Sequence, residues 1–234
     1  MPVDLAPRRA VPPAGGSGRH RGGMLDLLLD CVFPRRSLTG GEGAWMTESE
    51  LRLLRGRPRR LEGDPLRAAG SRELDLLVAA GAYTDPLLSR AVRAWKYGRL
   101  PGLAEPLCAL LLEAAALLPP GEPTPCPVPL HWSRLFWRGF NQSERLAVGL
   151  ARGRGWSARP LLRRARPTGW QAKRSAVERR AALAGAFVPA APRIPERVLL
   201  VDDVATTCAT LDACARVLRE AGARHVEAIV LAVA

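Results

Sequence analysis

The sequence has few of the residues from which metal centres and disulfide frameworks are built. It contains three histidines and five cysteines in 234 residues. No two of the cysteines show Cys-x-x-Cys spacing, and they stand at Cys31, Cys108, Cys126, Cys208 and Cys214. This pattern predicts neither a disulfide framework nor a zinc site. A reducing cytoplasm is therefore the expected location.

Long hydrophobic runs are also missing from the sequence. The N-terminal residues contain no apolar segment of the kind that a secretory signal needs, and the apolar run at residues 107–118 is short and interrupted by Glu113. We therefore expect no signal peptide and no membrane insertion. The hydrophobic share of 47% is still enough for a substantial core in a chain of this length.

Lysine is nearly absent from a strongly basic chain. The formal net charge is +13, and only Lys96 and Lys173 among the 35 basic residues are lysines. Such a charge favours anionic partners such as phosphates, pyrophosphate or nucleic acid. Basic residues are dense at 163–180, which we interpret as a mobile lid over an anionic ligand, a nucleic-acid contact or a solvated basic loop.

Three regions follow from the patterning of the chain. Residues 1–23 are rich in Pro, Gly and Arg and are predicted to be a disordered basic tail. Residues 24–70 form a separate segment, of which 51–70 read as a linker or a loosely held surface segment. Residues 71–234 alternate strands and helices, which predicts an α/β fold with a mostly parallel sheet. The predicted helices are 86–97, 103–118, 143–152 and one ending at Gly222, and the predicted strands are 74–83, 126–130, 187–188, 198–201 and 225–233.

Residues 198–211 predict a strand, an acidic and hydroxyl-rich turn, and a helix. A turn that enters a helix N-terminus at the end of a parallel strand is a natural anion site. Asp202 and Asp203 suit ribose hydroxyls or Mg²⁺, so the pattern describes a phosphorylated sugar; the alternative is an ordinary turn with solvated acids. The predicted phosphate-binding residues are Ala205, Thr206, Thr207, Cys208, Ala209 and Thr210.

A second turn of this kind precedes the predicted helix at 143–152. Arg138 can pair with two phosphate oxygens, Gly139 permits close backbone approach, and Asn141 can cap the helix. Together with Phe140, these residues are candidates for binding pyrophosphate, so that the two turns would hold the two ends of one ligand. The alternative is a capped helix with an incidental arginine.

Residues 198–211 resemble the phosphoribosyl-pyrophosphate (PRPP) signature of type I phosphoribosyltransferases, with Cys208 where that family has glycine. From about residue 24 onward the chain resembles the ComF family, also named ComFC or GntX-like. The resemblance is carried by four blocks: Tyr83 with Trp95-Lys96-Tyr97; residues 127–130 with Arg134 and 138–142; residues 166–168 with Gln171, 178–180 and 185–187; and residues 202–207.

The resemblance implies a type I phosphoribosyltransferase-like core, with a mostly parallel twisted sheet flanked by helices, and a small zinc-ribbon-like N-terminal segment. It implies that Asp202 and Asp203 are the catalytic pair, holding ribose with Mg²⁺, and that residues 163–180 are the lid. It also implies a role in competence, DNA uptake or nucleotide metabolism and a protein partner in the competence machinery. The lid residues that it singles out are Gln171, Lys173 and Arg179.

Two departures from the ComF pattern leave two functions open. The family's zinc-binding cysteines fall here on Ser37, Gly40, Thr47 and Glu50, so no zinc is expected. Cys208 adds bulk in the phosphate turn and tolerates a left-handed backbone poorly. The intact acidic pair favours a PRPP-binding transferase, whereas Cys208 favours an inactive relative that binds single-stranded DNA or acts as an adaptor.

Overall fold

The computed structural model describes residues 37–40, 45–97, 100–130, 140–165, 183 and 185–234. The predicted tail at 1–23, Arg138, Gly139 and the three lid residues lie outside the described residues.

A five-stranded sheet forms the centre of the fold, with the strand order β1-β2-β7-β6-β3. Only the β1–β2 pair is antiparallel; the other three pairings in this sheet are parallel. Two further short strands, β4 and β5, form a separate antiparallel pair. The predicted mostly parallel sheet is therefore confirmed. The strands are β1 (Arg59–Leu61), β2 (Leu76–Ala82), β3 (Thr124–Pro127), β4 (Leu162–Arg164), β5 (Phe187–Pro189), β6 (Arg197–Ala205) and β7 (His225–Val233).

The four helices predicted within residues 71–234 are present in the structure. The predicted helix at 103–118 is an α-helix with a 3₁₀ turn at each end, at Pro101–Leu103 and Ala115–Leu117. Within the described ranges, no helix is both long and apolar enough to cross a membrane. The α-helices are α1 (Glu48–Leu54), α2 (Gly63–Ala68), α3 (Pro86–Tyr97), α4 (Ala104–Ala114), α5 (Gln142–Arg154) and α6 (Ala209–Glu220).

Two apolar clusters cover the two faces of the sheet. Because side chains alternate along a strand, Leu199 and Val201 of β6 join a cluster with α1, α3, α4 and α5, while Val198 and Leu200 join a cluster with α6. Burial on both faces explains the uninterrupted apolar run at residues 198–201 of β6.

The strand β3 lies at one edge of the sheet and contains Pro125 and Pro127. The residue that follows it, Val128, donates its N–H to the Val201 carbonyl at 3.0 Å. On the other side, the Pro125 carbonyl accepts from Arg159 N at 2.9 Å. Prolines are tolerated at such an edge, because they have no N–H to donate to a neighbouring strand.

The interpretation of residues 51–70 as a linker or a loosely held segment is wrong. This stretch contains most of α1, the strand β1, which pairs with β2, and the helix α2. Leu51, Leu54 and Leu66 are at most 8% exposed and hold it in the core. Because the segment contains many arginines and two prolines, its few buried leucines do not form a recognisable apolar pattern in the sequence.

Candidate functional site

The site lies where the chain switches from one face of the sheet to the other. The strands β3 and β6 are neighbours, but α5, which follows β3, packs against the face that holds Leu199 and Val201. The helix α6, which follows β6, packs against the opposite face. Open α/β sheets bind ligands in the crevice at such a switch point, outside the carboxyl ends of the two strands.

The acidic pair lies inside β6 rather than in the turn after it. Asp202 pairs with Val230 of β7, and the strand continues to Ala205. The prediction that the strand ends at residue 201 is therefore too short, because backbone pairing with β7 continues beneath the polar side chains. Both carboxylates consequently stand on a rigid element at the mouth of the crevice.

Three donors from different parts of the fold hold the acidic pair. Lys96 Nζ, in the last turn of α3, lies 2.7 Å from Asp203 Oδ1. The Ser143 hydroxyl, in the first turn of α5, donates to Asp202 Oδ1 at 2.8 Å, and the Asp203 N–H donates to the same oxygen at 2.9 Å. The pair is thus fixed by two helices that converge on β6.

Burial and charge act together on Asp202. Burial and the neighbouring Asp203 charge raise the pKa of Asp202 to about 7, although Lys96 and the hydrogen bond from Ser143 lower it. A carboxyl in such surroundings changes charge close to neutral pH. The capacity of Asp202 to accept hydrogen bonds therefore changes with pH in this range.

The second predicted turn is linked to the acidic pair through Ser143, whose N–H is capped by Asn141. The Asn141 side chain accepts from Ser143 N at 3.1 Å and donates to the Val128 carbonyl at 3.4 Å, which confirms the predicted helix cap and ties the turn to β3. The Phe140 ring centroid lies 5.9 Å from that of Trp95 and 4.3 Å from the Arg145 guanidinium carbon. Phe140 therefore anchors this turn by packing.

The predicted phosphate turn borders a small pocket of about 70 Å³, which Leu183, Asp202 and residues 204–211 line. Cys208 has φ 52° and ψ 1°, and in the part of the chain that the structure describes it is the only non-glycine residue with positive φ. The turn thus adopts the left-handed conformation that glycine would favour. Cys208 is 3% exposed and belongs to the cluster beneath α6, so the core accommodates its bulk.

Proteins named for DNA utilization and for competence are similar to this chain. No family model matches the chain. "DNA utilization protein YhgH" of Salmonella typhi is 36% identical over 159 residues, which cover 64% of this chain and 69% of the relative. The chain belongs to the ComF family. Two further ComF relatives are "Competence protein F" of Haemophilus influenzae, 33% identical over 168 residues (65% of this chain and 70% of the relative), and "Competence protein ComFC" of Streptococcus pneumoniae, 34% identical over 100 residues (43% of each chain).

Sequence reasoning missed two residues of this ComF site, Lys96 and Ser143. Lys96 lies in the Trp95-Lys96-Tyr97 block. Because lysine is rare in this arginine-rich chain, its presence in that block is the signal that could have identified it. Ser143 offers no comparable signal, because a serine beside a helix cap is common. Both depend on contacts between distant parts of the chain, since α3 and α5 meet β6 only in the fold.

The positions where resemblance to the ComF family implies zinc-binding cysteines surround one carboxylate. Glu50 is 2% exposed, and its two oxygens accept from Thr39 N and Thr47 N at 2.7 Å each. Thr47 in turn caps α1 by accepting from Glu50 N at 3.2 Å. A carboxylate whose oxygens already accept two N–H groups, together with hydroxyl side chains and a glycine, does not fit a tetrahedral thiolate site.

Proposed function

We propose that the protein binds PRPP, or a related phosphorylated ribose, in the crevice between β3 and β6, and that this binding serves competence or DNA utilization. The observation that carries the proposal is the juxtaposition of Asp202 and Asp203 with the pocket at residues 204–211. A diol-binding pair directly before a phosphate-type turn matches the two ends of a ribose 5-phosphate.

Each part of the crevice has a task in this proposal. Asp202 and Asp203 accept the two ribose hydroxyls, and the turn offers the N–H groups of residues 205–210 and the hydroxyls of Thr206, Thr207 and Thr210 to the 5′-phosphate. Residues 138–141 bind pyrophosphate, although only Phe140 and Asn141 of them lie among the described residues.

If the protein is a transferase, its chemistry is mainly electrostatic. The bond from the ribose to pyrophosphate breaks as a bond from the same carbon to the acceptor forms, and pyrophosphate leaves with the bonding electrons. The fixed carboxylates stabilise the positive charge that develops on the sugar. Mg²⁺, when bound, would neutralise the leaving pyrophosphate. Direct coordination by Asp203 fits poorly, because Lys96 Nζ already lies 2.7 Å from its Oδ1. We therefore assign Mg²⁺ to the pyrophosphate end of the ligand.

Calorimetric titration with PRPP and Mg²⁺ tests the proposal. The Asp202→Asn, Asp203→Asn double variant should lose at least roughly tenfold in affinity, because neutral amides bind hydroxyls less strongly than carboxylates. Glu220→Gln on the exposed end of α6 is the matched control and should bind as the wild type does. Equal affinity of the double variant at equal thermal stability would remove the acidic pair from the site.

The alternative is a fold that has lost transfer and instead binds single-stranded DNA or acts as an adaptor. The net charge of +13 and the names of the relatives favour it. Fluorescence anisotropy with a labelled single-stranded oligonucleotide, repeated over a range of salt concentrations, distinguishes the two functions. Strongly salt-dependent DNA binding without any PRPP binding would favour the alternative.

A further inference from the structure

A positive charge of the protein itself lies against the acidic pair. The Lys96 ammonium is 2.7 Å from Asp203 Oδ1, and the two side chains are only 17% and 11% exposed. This distance is that of a charge-assisted hydrogen bond, which is strong when both partners are shielded from water. The contact is thus part of the built site and not a mobile surface pair.

The fold holds Lys96 in this position through its neighbours. Trp95 is fully buried, and its ring packs against Phe140 at the entrance of α5. Lys96 lies in the last turn of α3, where the partial negative charge at the end of a helix favours a cation. Because the preceding residue is fixed in the core, α3 presents the ammonium to Asp203 from a defined direction.

The chemistry of this position differs from that of the other basic residues. All other basic residues except Lys173 are arginines, whose wide planar fork binds two oxygens at once. An ammonium is instead a compact, strongly hydrated point charge with three donors. A small cation that sits against a carboxylate pair and leaves lone pairs for hydroxyls resembles a metal ion in its electrostatic role.

A divalent ion bound to both carboxylates would conflict with these contacts. Mg²⁺ requires near-octahedral oxygen ligands, whereas Asp203 Oδ1 contacts the ammonium and Asp202 Oδ1 accepts from Ser143 and from the Asp203 N–H. A metal ion between these groups would also be repelled by Lys96. The donor set therefore fits hydroxyl groups better than it fits a metal.

We propose that Lys96 is the resident cation of the acidic pair, so that the ribose 5-phosphate portion of the ligand binds without a divalent metal. This inference rests on the proposed function, namely that the crevice binds a phosphorylated ribose. Lys96 occupies Oδ1 of Asp203 and fixes the position of that side chain, and the remaining lone pairs of the two carboxylates accept the ribose hydroxyls. Lys96 is thus a positioning residue, which acts on the sugar through Asp203.

Titration with ribose 5-phosphate tests this, since the probe lacks a pyrophosphate that would bring Mg²⁺ with it. The wild type should bind with the same affinity, within about twofold, in excess EDTA and in excess MgCl₂. Lys96→Met should lose about tenfold or more in EDTA and regain part of that loss with MgCl₂, because the freed carboxylates then take the metal. Arg90→Met removes one exposed charge from the same helix and should change neither value.

The outcomes separate the inference from the proposed function. Binding of ribose 5-phosphate by the wild type in MgCl₂ but not in EDTA would overturn the role of Lys96 and leave the phosphorylated-ribose site standing. Failure of both ribose 5-phosphate and PRPP to bind in either buffer would overturn both. The wild-type comparison needs no variant, so a failure of Lys96→Met to fold leaves the test intact, and Lys96→Arg then serves as the variant that retains the charge.

Discussion

Cys208 occupies a backbone conformation that its side chain disfavours. Its φ of 52° lies in the left-handed region, which costs an L-residue roughly 1–2 kcal/mol. Its 3% exposure shows, however, that the side chain also fills space in the core. Replacement by glycine therefore relieves strain and removes buried volume at the same time, and the two effects oppose each other.

Comparing Cys208→Gly with Cys208→Ala separates these effects, because both variants lose the sulfur but only glycine relieves the backbone. We expect the glycine variant to be more stable by about 1 kcal/mol in urea denaturation, the reverse of the usual order. The same two substitutions at Cys214, a buried helical position of α6, are the control. There the alanine variant should be more stable than the glycine variant by about 1 kcal/mol.

A glycine variant no more stable than the alanine variant at position 208 would show that the turn carries no strain. Titration of the same variants with PRPP addresses the expectation from sequence that Cys208 weakens binding. Cys208→Gly should then bind PRPP about tenfold more tightly than the wild type.

At the scale of elements, sequence patterns located most helices and strands but not their polar ends. The bounds of α3 and β7 agree with the prediction, because apolar stripes or runs extend to their ends. The predicted end of β6 does not agree with the structure. Backbone pairing with β7 continues past Asp202 and Asp203, for which the sequence predicts a turn. The Lys96 contact with Asp203 was not predictable from spacing, because it joins two elements that are distant in the chain.

The helix α1 shows how an element is held where the family resemblance implies a metal. Burial raises the pKa of Glu50, but the hydrogen bonds from Thr47, Thr39 and Ser37 outweigh it and hold that pKa below its ordinary value. The ionised carboxylate is therefore stabilised in the folded state. It joins residues 37–40 to the first turn of α1.

Glu50→Gln should lower the free energy of unfolding by about 1–3 kcal/mol. Each oxygen of Glu50 accepts an N–H, so an amide must turn its own N–H₂ toward a donor. Glu48→Gln in the same turn is exposed and should cost about 0.5 kcal/mol or less.

The purified protein should contain no stoichiometric zinc and should melt at the same temperature with and without EDTA; about one zinc per chain by elemental analysis would contradict this.

For the whole molecule, Asp202 makes stability depend on pH in the opposite direction from Glu50. Its pKa rises from 3.8 to about 7 on folding, so between these values the folded chain holds a proton that the unfolded chain releases. This group therefore lowers stability as pH rises from about 4 to about 7, and its full penalty remains above 7. Glu50, with a lowered pKa, instead contributes stability that is lost on acidification.

Asp202→Asn should remove the penalty while keeping an oxygen to accept from Ser143. The stability of the variant relative to the wild type should rise by roughly 1–3 kcal/mol between pH 4.5 and pH 8, as urea denaturation would measure. Glu220→Gln removes an equal charge from the surface, and its relative stability should change by less than about 0.5 kcal/mol over the same range. If the stability of Asp202→Asn relative to the wild type did not change with pH, Asp202 would change its charge outside this pH interval.

The prolines of β3 have a consequence for how the protein meets other chains. Because Cα pairing alternates, the backbone groups of Cys126 and Val128 serve β6, and those of Pro125 and Pro127 face outward, where neither has an N–H. Of the two outward carbonyls, that of Pro125 already accepts from Arg159 N. At either proline this edge of the sheet offers a foreign strand no N–H, which disfavours amyloid-like stacking and the docking of partners by strand addition.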